Sequence, residues 1–266
     1  MQRSSLRKFV PTLLGSLTLF GCTTMPSANS SFLKSQDRLV VKKGLRTQQL
    51  VTQPPSPAIE QGSKLKIDSV EFVRNAQISA NLTPVERELI ENVLAREICA
   101  DLSDRFDIVA DPSDANVYQL RIGIQRLEST SKLSAGIATV TGFATPIGLR
   151  PPLGLGSLTV EFELLNPQGQ QTAAMVWSKK ADIGSNQASV SRIGDAYRFA
   201  KESSSDFARL VLTPDPSQPI VSPKNGSKGP PDLACDPFGK KESFLTGLVG
   251  QILPLPPEYI DEGRKP

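Results

Sequence analysis

Between Leu65 and Val211, apolar and polar positions recur with two different periods, and the switches between them mark out the elements. Leu65, Ile67, Val70 and Phe72 alternate with polar neighbours except for a slip at Asp68-Ser69, which predicts a strand with an irregularity there. Val85, Leu89, Ile90, Val93 and Leu94, continuing through Ile98 and Leu102, recur at helical spacing. That helix has a marked start. Thr83-Pro84-Val85-Glu86 places a hydroxyl at the cap, a proline at the first helical position and a carboxylate three residues after the cap. Thr83 and Glu86 then each satisfy an amide of the other, while Pro84 has no amide to leave open. Phe106 to Ala110 reads as a short strand, and Asp111-Pro112-Ser113-Asp114 as a turn. Tyr118, Leu120, Ile122 and Ile124 alternate with Gln119, Arg121, Gly123 and Gln125, and Leu158, Val160, Phe162 and Leu164 with Thr159, Glu161 and Glu163. Both read as strands with one face on a core and the other in water. Asn166-Pro167-Gln168-Gly169 turns the second of them into a partner over 173–179. Ala196, Phe199, Ala200, Ser203, Phe207, Leu210 and Val211 form a second helical stripe, which Pro214 ends.

The order β-α-β-β-β-β-α with hairpin-linked strands predicts an α+β fold. Its sheet is mixed, mostly antiparallel and four- to five-stranded, with two helices packed on one face. Residues 64–213 form this domain. Residues 22–63 read as a tether rich in Thr, Ser, Pro and Gln, with Gln53-Pro54-Pro55-Ser56-Pro57 as an extended spacer. Within it, Phe32-Leu33 through Arg38-Leu39 is apolar enough to dock on the domain. The stretch 131–157 fits neither period: no charge falls between Leu133 and Leu149, and Gly136, Gly142, Gly148 and Gly154 recur every six residues. It is either a glycine-rich connector or an apolar contact loop, with Ile137, Val140 and Phe143 meeting a membrane, a protein partner or a second copy. Residues 214–266 are a Pro-rich tail, in which Phe244, Leu245, Leu248, Val249, Ile252 and Leu253 outline a short amphipathic helix.

The first residues add a location. Arg3, Arg7 and Lys8 precede an apolar run from Phe9 to Phe20 that is too short to span a bilayer and suits an export signal over 1–21. Leu19-Phe20-Gly21-Cys22 resembles the bacterial lipobox, with Phe20 bulkier than usual. That resemblance implies a thioether-linked diacylglycerol on Cys22 and further acyl chains such as palmitate, which together hold a protein durably on a membrane. Thr23, rather than Asp, after the cysteine implies the outer membrane of a Gram-negative envelope, on its periplasmic face. The formal charge of +3 rests on the three cations of the signal, so the rest of the chain is balanced and says nothing of nucleic acid.

The chain has no histidine. This excludes Ser-His-Asp and Cys-His nucleophiles and every His-ligated metal. Cys99 and Cys235 lack Cys-x-x-Cys spacing, and no phosphate loop or dinucleotide fingerprint occurs, so no cofactor or metal is expected. Asp111 and Asp114 suit a turn better than a calcium ion. In an oxidising compartment Cys99 and Cys235 pair if the tail docks; otherwise Cys99 is buried alone and Cys235 is exposed or pairs between molecules. Glu161 and Glu163 share one face of a strand with carboxylates about 6 to 7 Å apart, within the range of a glycosidase pair. Their alternation with Val160, Phe162 and Leu164 predicts a solvated face instead.

Three places resemble a family of bacterial lipoproteins known as domain of unknown function 3313. They are Phe32-Leu33 through Arg38-Leu39, the strand Glu161-Phe162-Glu163-Leu164-Leu165-Asn166 with its turn at Gly169, and the helix from Asp195-Ala196 to Phe207-Ala208. Asn166 stands where the family carries an acidic residue, and the tail after Pro214 lies outside it. The resemblance implies a location without an activity. The expected function is a non-catalytic accessory or assembly module of the envelope. The alternatives are an enzyme acting on cell-wall glycan through Glu161 and Glu163, or a carrier of an apolar ligand.

Overall fold

The computed structural model describes residues 31–42, 48–55, 59–103, 105–110, 116–130, 155–181, 191–212, 233–239, 256, 257 and 261. Among them run eight strands: β1 (Val40–Lys42), β2 (Gln48–Gln53), β3 (Ser63–Ile67), β4 (Glu71–Ile78), β5 (Phe106–Ile108), β6 (Val117–Glu128), β7 (Ser157–Leu165) and β8 (Gln171–Lys180). Two helices, α1 (Pro84–Leu102) and α2 (Gly194–Leu212), and a 3-10 helix, Leu233–Phe238, complete the set. The strands form one mixed sheet in the order β1-β2-β8-β7-β6-β3-β5. The fold is α+β, with more strands than the four or five the periodicity predicts. Two of the additional strands, β1 and β2, come from the stretch that composition assigns to a tether, and β2 pairs antiparallel with β8.

The slip at Asp68-Ser69 has a structural reason. Strand β6 has twelve residues and takes two parallel partners along one edge. β3 pairs with Lys64↔Val117 to Ile67↔Leu120, and β4 takes over from Glu71↔Gly123 onward. Asp68 secures the handover: its amide donates to the Leu120 carbonyl (2.9 Å), and its carboxylate accepts from Gln119 Nε2 (2.6 Å). A second irregularity in β4 coincides with Asn75 at φ 67°, a conformation Asn tolerates better than most residues. At the β7–β8 turn Gly169 has φ 72°, which the absence of a Cβ permits.

Both helices pack on the same face of the sheet. Leu89, Ile90, Val93, Leu94, Ile98 and Leu102 of α1 are buried, as are Ala196, Phe199, Ala200, Ser203, Phe207, Leu210 and Val211 of α2. Val85 departs from its predicted place on the stripe: in the first turn of α1 it is 70% exposed. The inner sheet face contributes Leu120, Ile122, Ile124, Leu158, Val160, Phe162, Leu164, Met175 and Trp177. Each large apolar side chain buried here contributes about 1.5 to 3 kcal/mol relative to exposure. Phe162 stacks on Phe207 with ring centroids 4.9 Å apart, and Trp177 Nε1 donates to Asp206 (2.8 Å), so the large aromatic carries no stranded polar atom.

The capping box forms as the sequence predicts. Glu86 N donates to Thr83 Oγ1 (3.2 Å) and Thr83 N to Glu86 Oε2 (2.8 Å). Arg192, just ahead of α2, donates to both oxygens of Glu86 (2.9 and 2.8 Å), tying the start of one helix to the approach to the other.

Candidate functional site

The sheet face turned away from the helices is covered by residues 32–39. Phe32 and Leu33 pack with Ala174 and Val176 and are joined by Leu39 and Val73. This cover overturns the solvated-face reading of Glu161 and Glu163: both are 0% exposed, and every residue of β7 is buried. Glu163 accepts from the Lys34 amide at one oxygen (2.6 Å) and from Arg121 Nη1 at the other (2.6 Å). Arg121 also donates to the Phe32 carbonyl (3.2 Å) and lies over the Phe32 ring, 4.5 Å from its centroid. Such a stack adds about 0.5 to 2 kcal/mol. Lys34 Nζ reaches the Gly169 carbonyl (2.7 Å), and Gln171 exchanges hydrogen bonds with the Ser35 backbone. Glu163 therefore serves as part of the floor of a docking seat, and Glu161 is buried on the same strand. A glycan has no path to them in this arrangement.

A groove of about 660 Å³ opens on another side, where the β3–β4 handover meets the first half of α1. Val70, Phe72, Pro84 and Phe238 give it apolar walls, and Arg87, Glu88 and Glu91 give it charge. Burial pushes the Glu91 carboxyl above the usual carboxylate range, the charge of Glu88 pushes it the same way, and Arg87 opposes both. Phe238 reaches the groove from the 3-10 helix, which is held to α1 by the Cys99–Cys235 disulfide, with 5.8 Å between the two Cα atoms. Among the described residues no three His, Cys, Asp or Glu side chains converge as metal ligands.

A second fastening of the tail has no periodic signal in the sequence. Arg96, on the otherwise apolar side of α1, is 2% exposed and donates to both oxygens of Asp261 (3.0 and 2.6 Å). Tyr197 of α2 donates its hydroxyl to the same carboxylate (2.6 Å). Burial alone would favour loss of the Arg96 proton, but the hydrogen bonds and charge of Asp261 outweigh it and raise its pKa above the ordinary guanidinium value. The only early sign of this cluster is an arginine inside a helical apolar stripe.

A third junction holds the two ends of the apolar stretch. Asp195, at the start of α2 and 1% exposed, accepts from Thr130 Oγ1 (2.8 Å) and from the Gly156 amide (3.3 Å). A Cβ on Gly156 would lie 2.7 Å from Thr130 Oγ1 and 2.9 Å from Asp195 Cβ, so glycine is what the close approach allows. Ile137, Val140 and Phe143, between those ends, lie outside the described residues, as do Cys22, Asp111, Asp114 and the predicted tail helix.

These features define an α+β domain whose N-terminal segment and C-terminal tail are both fastened to it. Residues 28–207 match the family described as "Protein of unknown function (DUF3313)", and the chain belongs to that family. No curated protein matches the chain. Among solved structures, a PelC dodecamer from Paraburkholderia phytofirmans is 13% identical, covering 62% of this chain and 97% of its own, with a TM-score of 0.38. A protein from Xanthomonas campestris assigned to DUF330 is 15% identical over 60% of this chain and 90% of its own, with a TM-score of 0.34.

Proposed function

We propose that this protein is a lipid-anchored envelope protein, attached through Cys22 to the periplasmic face of the outer membrane of a Gram-negative cell, and that it works as a non-catalytic interaction module. The observation that carries this reading is the Cys99–Cys235 disulfide, which joins positions 136 residues apart and ties the tail to α1. Such a bridge persists in an oxidising compartment and is rare in a reducing one, in keeping with an export signal ending in a lipobox. The burial of Glu161 and Glu163, the latter engaged by the Lys34 amide, weighs against the glycan-cleaving alternative. The Asp195 junction supports a contact role for the stretch between Thr130 and Gly156, because it ties down both ends of a segment whose middle, Leu133 to Leu149, carries no charge.

The anchor is tested by Cys22→Ser. The variant is expected to accumulate as a larger, unprocessed form without acyl label; normal cleavage and fractionation would refute the assignment. The contact role is tested by changing Ile137, Val140 and Phe143 together to Ser. Thermal unfolding should stay nearly unchanged while self-association, or recovery of a partner from envelope extracts, falls. A loss of about 3 kcal/mol or more, the scale of core cavities, would place these residues in the core instead.

A further inference from the structure

Residues 32–39 cross the outer face of the sheet one strand at a time. Phe32 lies against Arg121 of β6, and its carbonyl accepts from the same guanidinium (3.2 Å). The Lys34 amide donates to Glu163 of β7 (2.6 Å). Ser35 and Gln171 of β8 bond in both directions (3.0 and 2.8 Å), and Gln171 also donates to Gln53 of β2 (2.8 Å). The chain then enters β1 at Val40, on the far side of β2. The grip is thus spread over β6, β7 and β8. Counted from the N-terminal side, Phe32 is the first buried residue among the described ones.

Tension from the N-terminal side of Phe32 is therefore borne by these contacts and not by the chain after them. Ten residues separate Phe32 from Cys22. Such a length spans at most about 36 Å when fully extended, whereas a free arm over the whole of 22–63 would span roughly 150 Å. Resting on the lipid-anchor reading above, we propose that residues 32–39 are a strap that shortens the tether to those ten residues and so keeps the domain at the surface of its membrane. A domain held so close meets partners standing on or in the same membrane, rather than ones that only a long free arm would reach. Unseating the strap lengthens the tether. The first paired residue is then Val40, eighteen residues from Cys22, and the full extension becomes about 65 Å.

The test uses the acylated full-length mature protein in vesicles, with energy transfer read from Trp177, the chain's single tryptophan, to dansyl-labelled lipid headgroups. About twenty Gly and Ser residues inserted between Ser31 and Phe32 triple the tether and raise its r.m.s. span about 1.7-fold, so transfer should fall to less than about half. The same insert between Leu39 and Val40 lies beyond the strap and should leave transfer as in the parent. Gly123→Val, which crowds the Phe32 ring, should lower transfer with no residue added to the tether. Equal falls from the two inserts would overturn the proposal, because the strap would then bear no load. So would transfer unmoved by either insert, which would mean that something other than the tether sets the distance. Intact mass of the same samples reports the acyl chains on Cys22, so failure of the anchor reading is seen separately.

Discussion

Gly123 of β6 stands where any side chain would run into the ring of Phe32. A Cβ built there lies 2.9 Å from both Phe32 Cδ2 and Cε2, and 2.7 Å from Val73 Cγ1. The outer sheet face thus has a notch that the N-terminal segment fills, with Arg121 beside it stacked on the same ring. Gly123→Val should unseat residues 32–39, costing about 1 to 3 kcal/mol, the usual scale of overpacking. Urea unfolding gives the loss, and limited proteolysis should find new cleavage between Ser31 and Leu39. An unchanged digestion pattern would mean the ring and Val73 yield without releasing the segment.

The inner half of this fold is legible in the sequence because each buried stripe keeps its own period. Leu89 to Leu102 on α1, Ala196 to Val211 on α2 and Leu158 to Leu164 on β7 all take their predicted places, and the capping box marks the start of α1. The outer half is legible only in part: the segment from Phe32-Leu33 to Arg38-Leu39 docks on the domain as its apolar character predicts, but the face it covers is not readable. Glu161-Phe162-Glu163 has the same alternation whether its polar face meets water or a covering segment. The cover supplies its contact to Glu163 from a residue 129 positions earlier, at Lys34. Strands β1 and β2 are hidden by their setting: Val51 and Leu50 sit between glutamines and close to a proline run, so composition outweighs a short apolar pattern. Val85 shows the limit of periodicity at a helix end. It has the right spacing, but the first turn leaves it in solvent.

Glu86 and Glu91 lie on the same helix and should respond to pH with opposite signs. Burial pushes the Glu86 carboxyl up, but hydrogen bonds from Thr83 and the Arg192 guanidinium outweigh it, and the net shift is downward. A folded-state pKa below the unfolded value gives stability that is present above the unfolded value, about 4.5, and lost as pH falls through the folded one. Glu91 is raised, so its contribution is largest below the unfolded value and is lost as pH rises through the folded one. Glu86→Gln should therefore be less stable than the parent at pH 7, with the gap closing in acid. Glu91→Gln should be more stable at pH 7, and its advantage should vanish in acid. Urea titrations of the two variants between pH 3 and pH 7, roughly bracketing the carboxylate range, give both signs.

The disulfide should matter more than its peripheral position implies. Cys99 is fully buried and Cys235 is 9% exposed, and they close a separation of 136 residues. In the chain-entropy model a loop of that length contributes about 5 kcal/mol through the unfolded state. Cys235→Ser, which spares the core position, should lower stability by up to about that amount. It should also release Phe238 from the groove beside Glu91. Peptide mapping without reduction checks the pairing, and a reducing agent should destabilise the parent while leaving Cys235→Ser unaffected. Equal response of both proteins would show that the bridge carries no stability.

Arg96 and Asp261 offer a cleaner test of how the tail is held, because the pair is buried and the two residues lie far apart in the chain. Asp261 accepts from Arg96 at both oxygens and from the Tyr197 hydroxyl, so truncating it removes three hydrogen bonds and leaves a guanidinium in a dry site. Asp261→Ala should cost about 3 to 5 kcal/mol, the scale for breaking a buried pair by removing one partner. Arg96→Met alone should also destabilise, since it leaves a buried carboxylate that only Tyr197 serves among these donors. With Arg96→Met and Asp261→Leu together, no buried charge remains, and buried ion pairs are often replaced by apolar residues at little cost. The double variant should therefore recover most of the loss seen in either single one, a coupling that urea unfolding of all four proteins measures. Additive losses would mean that the two side chains act separately and do not form a stabilising pair.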